Sequence, residues 1–272
     1  MLSATASGSK IDAGANLAAL DSEGHSARYT LRLSHPILRS RSGNLSVFGS
    51  FDYMDVGEDR LGLTNLDDHL RVFRVGLDYL RDDTWDGATS MSIEISQGTD
   101  VFGASKGGDT ELSRADGDGV FTKVTAQLAR TQGIGEDFGI WAAVKGQFSP
   151  DSLLSAEEFA LGGSEFGRAY DFSELTGDDG LAASVELRYG KTVNADLLKA
   201  FQFYGFYDFG AVWNDDAPGN GRDTLASTGG GVRLTLPRSV FTTLEVAKPL
   251  TRAVSTTSDQ DWRIFFSLSV NF

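Results

Sequence analysis

Apolar and polar residues alternate along most of this chain in segments of about ten residues, a period that few folds can accommodate. In 262–272 every even position is apolar, whereas the odd positions include an arginine, two serines and an asparagine. In 199–213 five odd positions are aromatic, and the even positions include Gln202, Tyr204 and Asp208. Because successive side chains of a β-strand point to opposite faces, the alternation predicts strands with one apolar face and one polar face.

Eleven segments fit the alternation, and a twelfth is expected near the N-terminus. The links between them are short at 34–44 and around 237–238, and long, Gly/Asp-rich and mostly acidic at 98–119, 148–180 and 214–226. This alternation in link length is typical of a transmembrane β-barrel, which has short turns at one end and long loops at the other. The predicted segments are 27–34, 45–53, 71–79, 91–96, 120–130, 138–148, 181–190, 199–213, 232–236, 240–248 and 262–272.

The amino-acid composition excludes several classes of partner and of active site. The 272 residues carry 24 Lys and Arg against 38 Asp and Glu, a net charge of −14, which argues against a partner made of nucleic acid. Cysteine is absent, which excludes a disulfide framework, a thiolate nucleophile and a zinc–cysteine site. The histidines are His25, His35 and His69, too sparse for a metal site or a Ser/His/Asp set. No apolar run approaches the ~18 residues of a membrane helix.

A large β-sandwich or a lipocalin-like barrel would also alternate. Two features favour a membrane barrel instead. Aromatic residues crowd the apolar face, often near strand ends, as in the aromatic girdles of outer-membrane barrels. The other face carries Arg, Lys, Glu and Asp, which a packed core does not accommodate but a water-filled lumen does. The sequence therefore predicts an all-β transmembrane antiparallel barrel in a bacterial outer membrane, in contact with lipid.

The loop 148–180 is unusually long and unusually apolar. Loops of about thirty residues are uncommon and are usually functional. This one contains Phe159, Leu161, Phe166, Tyr170 and Phe172, which a solvated tether does not need. We expect it to fold back into the lumen.

Within this loop the residues resemble a known family. The run 157–189, EEFALGGSEFGRAYDFSELTGDDGLAASVELRY, is similar to the sixth extracellular loop and following strand of two-partner secretion transporters. These are the haemolysin-activation and filamentous-haemagglutinin exporters, of the same superfamily as BamA-type assembly barrels. The matching residues are Gly162 and Gly163 of F-x-L-G-G, Arg168 and Tyr170 of R-x-Y, Gly177 and Asp178 of G-D-x-G, and Phe206, Asp208 and Gly210 of F-x-D-x-G.

One departure lies in the loop motif. Where the family has V-R-G-[FY], this chain has Gly167-Arg168-Ala169-Tyr170. The arginine and the aromatic residue are retained, whereas the valine and the second glycine are replaced.

The resemblance implies both an architecture and a function. Members have a 16-stranded barrel preceded by two POTRA domains and a plug helix. Residues 1–272 are expected to form the C-terminal portion of such a barrel, with 11–12 of its strands and without the POTRA domains and first strands. On its own, this portion is expected to be an incomplete barrel.

The implied function is a non-enzymatic pore, without cofactor or metal, that passes a haemolysin-like or adhesin-like partner exoprotein to the cell surface. A BamA-type assembly barrel, a passive porin and an outer-membrane enzyme remain alternatives. The plug-like loop argues against a porin, and the missing catalytic set argues against an enzyme.

The acidic residues of two strands predict where the loop is held. Strand parity places Asp208 and Glu186 on the non-lipid face of successive strands. The resemblance implies that Arg168 of the loop is locked to Asp208, with Glu186 adjacent. The alternative is that both carboxylates are solvated lumen residues, as in any porin.

Two pairs of loop aspartates raise the question of calcium. Asp116 with Asp118, and Asp178 with Asp179, lack the ligand spacing of an EF-hand loop. Solvation of the loop is therefore the favoured interpretation, and no metal is predicted.

The C-terminal residue gives a testable expectation. Phe272, with Val270, Leu268 and Phe266 on the same face, resembles the signal by which barrel-assembly machinery recognises its clients. Deleting Phe272 from the full-length protein is expected to lower its amount in outer-membrane fractions, measured by immunoblot. If the shortened protein accumulates normally, the motif is only the lipid-facing end of a strand.

Overall fold

The structure, a computed structural model, describes residues 1–12, 21–193, 195–214 and 221–271. Twelve strands form one antiparallel sheet, and the two short strands β8 and β9 form a separate hairpin. The strands are β1 Leu2–Asp12, β2 Ser22–Arg39, β3 Gly43–Arg60, β4 Leu63–Asp82, β5 Gly87–Gly98, β6 Thr122–Ile134, β7 Phe138–Phe148, β8 Phe159–Leu161, β9 Leu175–Gly177, β10 Asp179–Thr192, β11 Ala200–Trp213, β12 Arg222–Leu236, β13 Val240–Pro249 and β14 Arg263–Val270.

The sheet follows the chain as an up-and-down meander. Each strand pairs with the next one along the sequence, except that β7 pairs with β10 across the long loop. Each of the eleven predicted segments overlaps one strand of the sheet, and β1 is the twelfth. The predicted segments 120–130, 199–213 and 262–272 begin one or two residues before their strands. Within the described ranges no pairing joins β1 to β14, so the sheet remains open at these two edges. No helix among the described residues is long and apolar enough to cross a bilayer.

Two predicted links are shorter than the sequence indicated. The segment 34–44 is mostly strand, because β2 continues to Arg39 and β3 begins at Gly43. Pro36 lies inside β2, and the register shifts between Pro36 and Leu38. A proline cannot donate to the ladder, and a bulge of this kind accommodates it near a strand end. Similarly, β12 begins at Arg222, inside the link predicted at 214–226.

The two faces of the sheet differ as the alternation predicted. On β4, Phe73, Val75 and Leu77 are exposed on the outer face, while the side chain of Arg74 between them is 9% exposed. β14 is an edge strand and is exposed on both faces, with Phe266, Leu268 and Val270 on the outer one. Phe272, which completes the predicted C-terminal signal, lies outside the described residues.

The long loop lies on the inner face and has an apolar core there. Phe159, Leu161, Phe166 and Tyr170 are buried against residues of β7, β10, β11 and β12. Phe172 differs from the expectation, since it is 83% exposed. Burial of four large side chains, each worth about 1.5–3 kcal/mol, explains why the loop lies against the sheet. The wall residues of this cluster are Ala143, Ala182, Val212 and Leu225, joined by Val254 of the β13–β14 loop.

Glycines of the wall make room for these loop side chains. A Cβ at Gly210 of β11 would lie 2.6 Å from both terminal carbons of Leu161. A Cβ at Gly180 of β10 would overlap the ring of Phe159. Such approaches are possible only without a side chain on the strand.

Gly210 and Gly205, both in β11, provide a matched test of this close packing. A Cβ at Gly205 faces outward and meets only the carbonyl oxygen of Gly229, at 3.8 Å. Gly210→Ala is expected to lower the free energy of unfolding by about 1–3 kcal/mol, because fully buried Leu161 has little room to move. Gly205→Ala is expected to be nearly neutral. Urea unfolding of both variants in lipid is the measurement, and equal midpoints would contradict the packing argument.

Candidate functional site

Glycines shape the backbone that presents Arg168. Gly162, Gly163 and Gly167 have φ of +106°, +84° and +92°, a region that favours glycine. The amide N–H of Gly162 donates to the carbonyl oxygen of Phe166 at 2.9 Å, which closes the loop on itself. Ala169 is not among the residues with positive φ, and it is fully buried. The left-handed residue of the motif is therefore Gly167, and alanine at 169 is compatible with the turn.

The guanidinium of Arg168 is surrounded by acceptors from two strands. Its Nε and Nη2 donate to Asp208 of β11 at 3.1 and 3.0 Å. Its Nη1 donates to Oε1 of Glu186 of β10 at 2.6 Å, and Nη2 also donates to the hydroxyl of Ser184 at 2.9 Å. The planar fork of arginine suits this two-carboxylate arrangement. The structure thus brings the three predicted residues into direct contact.

Asp208 binds the loop backbone as well as the arginine. Its Oδ2 accepts the amide N–H groups of Gly167 at 3.2 Å and of Arg168 at 3.0 Å. The hydroxyls of Ser184 and Ser227 donate to the same carboxylate at 2.6 and 3.3 Å. Asp208 is fully buried, and its carboxylate has all of these hydrogen-bond donors only while the loop is in place.

Glu186 links the loop to two further arginines of the wall. Arg188 of β10 and Arg233 of β12 contact it at 2.6 and 3.0 Å. Glu245 of β13 lies 3.6 Å from Arg168. Including Asp208, three carboxylates therefore face three guanidinium groups. The negative and positive charges are therefore equal in number, and each buried charge has an opposite charge nearby. Such pairing is needed because an unpaired buried charge is costly.

An aromatic platform completes the arginine site. The Cζ atom of Arg168 lies 3.7 Å from the centroid of the Phe206 ring, a cation–π contact. Burial alone would lower the pKa of Arg168, but Asp208 and Glu186 outweigh it and raise that pKa above its ordinary value. The guanidinium therefore stays charged at any physiological pH.

Tyr170 fixes the other side of the loop tip. Its hydroxyl donates to the carbonyl oxygen of Ala226 at 3.1 Å, and it accepts the amide N–H groups of Thr251 and Arg252 at 3.3 Å. Thr251 and Arg252 belong to the β13–β14 loop. Thr256 of the same loop donates to Asp171, which also accepts from Arg263 at the start of β14 at 2.7 Å. The long loop is thus covered by its neighbour.

Gly177 and Asp178 lie apart from the arginine site, at the end of the loop. A Cβ at Gly177 would meet the carbonyl oxygen of Trp213 at 2.8 Å. Asp178 accepts from Arg114 of the β5–β6 loop at 2.5 Å and from the amide of Leu153 at 2.8 Å. These residues tie the loop end to a neighbouring loop and do not touch Arg168.

The aspartates considered for calcium have protein partners. Arg114 binds both Asp116 and Asp178, and backbone amides donate to Asp118 and Asp179. Among the described residues no group of three acidic or histidine side chains is arranged to hold a metal ion.

Several contact residues were not singled out from the sequence. Strand parity places all of these residues on the inner face, so their side of the sheet was predictable from the alternation. Parity does not indicate which inner-face residues reach Arg168. These contact residues are Ser184, Arg188, Ser227, Arg233 and Glu245.

Known proteins resemble this chain in sequence and in fold. The curated relatives include the heme/hemopexin transporter protein HuxB of Haemophilus influenzae strain 86-028NP, 23% identical over 242 residues. That alignment covers 87% of this chain and 43% of HuxB, so the chain spans less than half the length of the relative.

Solved structures share the fold. CdiB from Escherichia coli matches 99% of this chain and 49% of its own, with a TM-score of 0.79 and 20% identity. CdiB from Acinetobacter baumannii matches 99% of this chain and 47% of its own, with a TM-score of 0.75 and 19% identity. BamA from Haemophilus ducreyi lacking POTRA domains 1–3 matches 98% of this chain and 59% of its own, with a TM-score of 0.58 and 12% identity.

The sheet of this chain is thus part of the outer-membrane transmembrane β-barrel fold, and its inner face borders the lumen. The description "Haemolysin secretion/activation protein ShlB/FhaC/HecB" fits residues 1–234, most of the chain. The chain belongs to this family of two-partner secretion transporters.

Proposed function

We propose that this chain lines a pore through which a partner exoprotein crosses the outer membrane. The observation that carries the proposal is the lumen loop, whose Arg168 is buried among Asp208, Glu186 and Ser184. In an ordinary surface loop the arginine side chain stays in water, because burial of a charge is costly unless the charge is paired. Family membership supports a transport function without catalysis.

We propose further that residues 1–272 belong to a larger barrel, preceded by further strands and POTRA domains. An unpaired strand edge is costly in lipid, because its backbone groups have no water to bind. The unjoined edges of β1 and β14 and the 43% coverage of HuxB both support this reading.

In this proposal the loop acts as a fixed part of the pore wall. The loop lock, defined as Arg168 with Asp208 and Glu186, sets the position of the loop tip. Beside the lock, Arg188 and Arg233 of the wall line a cavity of about 670 Å³ together with the aromatic residues Trp141 and Phe265. Folding of the exoprotein outside the cell would supply the driving force.

The structure also bears on the alternatives. A passive porin has no need for a loop with its own apolar core and a buried arginine in the lumen. A BamA-type assembly function is favoured less than export, because the likeness to BamA is weaker than the likeness to CdiB. The proposed partners are a secreted exoprotein, the membrane lipid on the outer face, and barrel-assembly machinery during insertion.

Mutating both sides of the lock tests the proposal. Arg168→Ala and Asp208→Ala in the full-length protein are each expected to depress export of the exoprotein at matched membrane levels. The loss is expected to be larger for Asp208→Ala, because the backbone amides of Gly167 and Arg168 lose their acceptor too. The double variant is expected to be little worse than Asp208→Ala, with a coupling of about 1–3 kcal/mol in urea unfolding.

Asp223→Ala is the matched control, since this aspartate of β12 is 65% exposed at the loop end of the strand. It is expected to leave export unchanged. Strictly additive losses from Arg168→Ala and Asp208→Ala would mean that the two residues act separately, and the lock would be abandoned.

Replacing the second carboxylate separates the two halves of the lock. Glu186→Ala is expected to reduce export less than Asp208→Ala, because Asp208 still binds both the side chain and the backbone at Arg168. Export assays on the two variants, at equal amounts in the membrane, give the comparison. A loss for Glu186→Ala that equals or exceeds the loss for Asp208→Ala would contradict this ranking.

A further inference from the structure

A second charged residue of the long loop is buried far from Arg168. Glu157 belongs to a short 3-10 turn, Ser155–Glu157, and is 4% exposed. Its carboxylate contacts Nη2 of Arg74 in β4 at 2.6 Å and Nζ of Lys123 in β6 at 2.8 Å. Its carbonyl oxygen accepts from the same lysine at 2.6 Å and from Gln147 of β7 at 3.1 Å. Both its charge and its backbone are therefore bound by the wall.

The wall around Glu157 holds more cations than anions. Asp52 of β3 contacts Arg28 at 3.0 Å and Arg74 at 2.7 Å, and Glu94 lies 3.5 Å from Arg74. Without the loop, Arg28, Arg74 and Lys123 would face only these two carboxylates. Glu157 supplies the missing negative charge.

The wall around Arg168 has the opposite imbalance. There Asp208, Glu186 and Glu245 face Arg188 and Arg233, so three carboxylates meet two cations until the loop supplies Arg168. The loop thus brings a negative charge to a positive part of the lumen wall and a positive charge to a negative part. Burial makes each missing partner costly, because the remaining wall charge is left uncompensated.

We infer that Glu157, with Lys123 and Arg74, forms a second anchor of the long loop, and that this anchor and the loop lock hold separate halves of it. Glu157 is a positioning residue, and it holds the first half of the loop in the lumen when the lock is broken. Complete release of the loop requires both anchors to open. The inference rests on the loop being part of the proposed pore, but its test measures the position of the loop and not export.

The chain contains no cysteine, so a single introduced thiol can report on each half. Leu154→Cys lies three residues before Glu157 in a fully buried position, and Ala169→Cys lies in a fully buried position beside Arg168. Each reporter is placed in the full-length protein, free of other thiols, in outer membranes. The measurement is the rate at which a membrane-impermeant maleimide reacts with the thiol.

Four backgrounds are compared for each reporter: unchanged, Glu157→Gln, Arg168→Gln and the double variant. Glu157→Gln is expected to raise the rate at position 154 by about tenfold, equivalent to about 1.4 kcal/mol of lost anchoring, with position 169 unchanged. Arg168→Gln is expected to do the reverse. Only the double variant is expected to expose both thiols.

Glu165→Gln is the control for the loop, because this glutamate lies in the same loop with its side chain 55% exposed, 3.7 Å from Lys145. It is expected to leave both rates unchanged. A rate at position 154 that does not respond to Glu157→Gln would overturn the second anchor. So would exposure of both thiols by Arg168→Gln alone, which would mean that breaking the lock is enough to release both halves of the loop.

If Glu157→Gln lowers the amount of folded barrel, Lys123→Met provides an independent test from the wall side. It is expected to raise the rate at position 154 as well, because it removes the charge that contacts the Glu157 carboxylate. Its failure to do so in a folded barrel would also count against the anchor. Loss of export with unchanged labelling would contradict the anchor while leaving the proposed pore intact.

Discussion

Charge compensation inside the barrel is the constraint on which the placement of the long loop depends. A lumen wall of charged residues is tolerable only where each charge meets water or a partner. At Asp208, which is fully buried, water is excluded and the partners are the guanidinium and backbone amides of the loop. The glycines at 180 and 210 and the apolar cluster of Phe159 and Leu161 then follow, because the loop must approach the strands closely to bring Arg168 to this site.

Most of the fold was predictable from alternation alone. Side-chain parity predicted eleven of the twelve strands of the sheet, and it placed Asp208 and Glu186 on the inner face. The sequence of β1, LSATASGSKID, does not alternate clearly, so only its approximate place near the N-terminus was expected. The segment 34–44 was predicted as a link, whereas β2 continues through it to Arg39. Alternation does not predict a bulge, and the register shift between Pro36 and Leu38 is what lets the strand contain this proline. The pairing of Arg168 came from the family resemblance, since a loop has no period from which its contacts can be derived.

The parts that sequence reasoning missed share a physical reason. Parity indicates which wall residues face the lumen, but not which loop residue will reach them. Arg74 and Lys123 face inward, yet nothing in the local sequence marks Glu157, rather than its neighbour Glu158, as the carboxylate that they bind. In the same way, the substitution of alanine in Gly167-Arg168-Ala169-Tyr170 could be judged only from the backbone, where Gly167 has the positive φ and Ala169 does not.

Apolar burial and charge pairing make different contributions to the position of the loop. Burial of Phe159, Leu161 and Phe166 is favourable in many arrangements, because the hydrophobic effect has no direction. If the loop were displaced along the lumen wall, its apolar side chains would remain largely buried. It would not keep Arg168 within reach of Asp208 and Glu157 within reach of Lys123 at the same time, because the two walls have opposite net charge. Reversing or shifting the loop would bring like charges together in a buried site, at a cost of several kcal/mol. The apolar cluster therefore stabilises the loop in the lumen, and the opposed charges determine the single register in which it lies there.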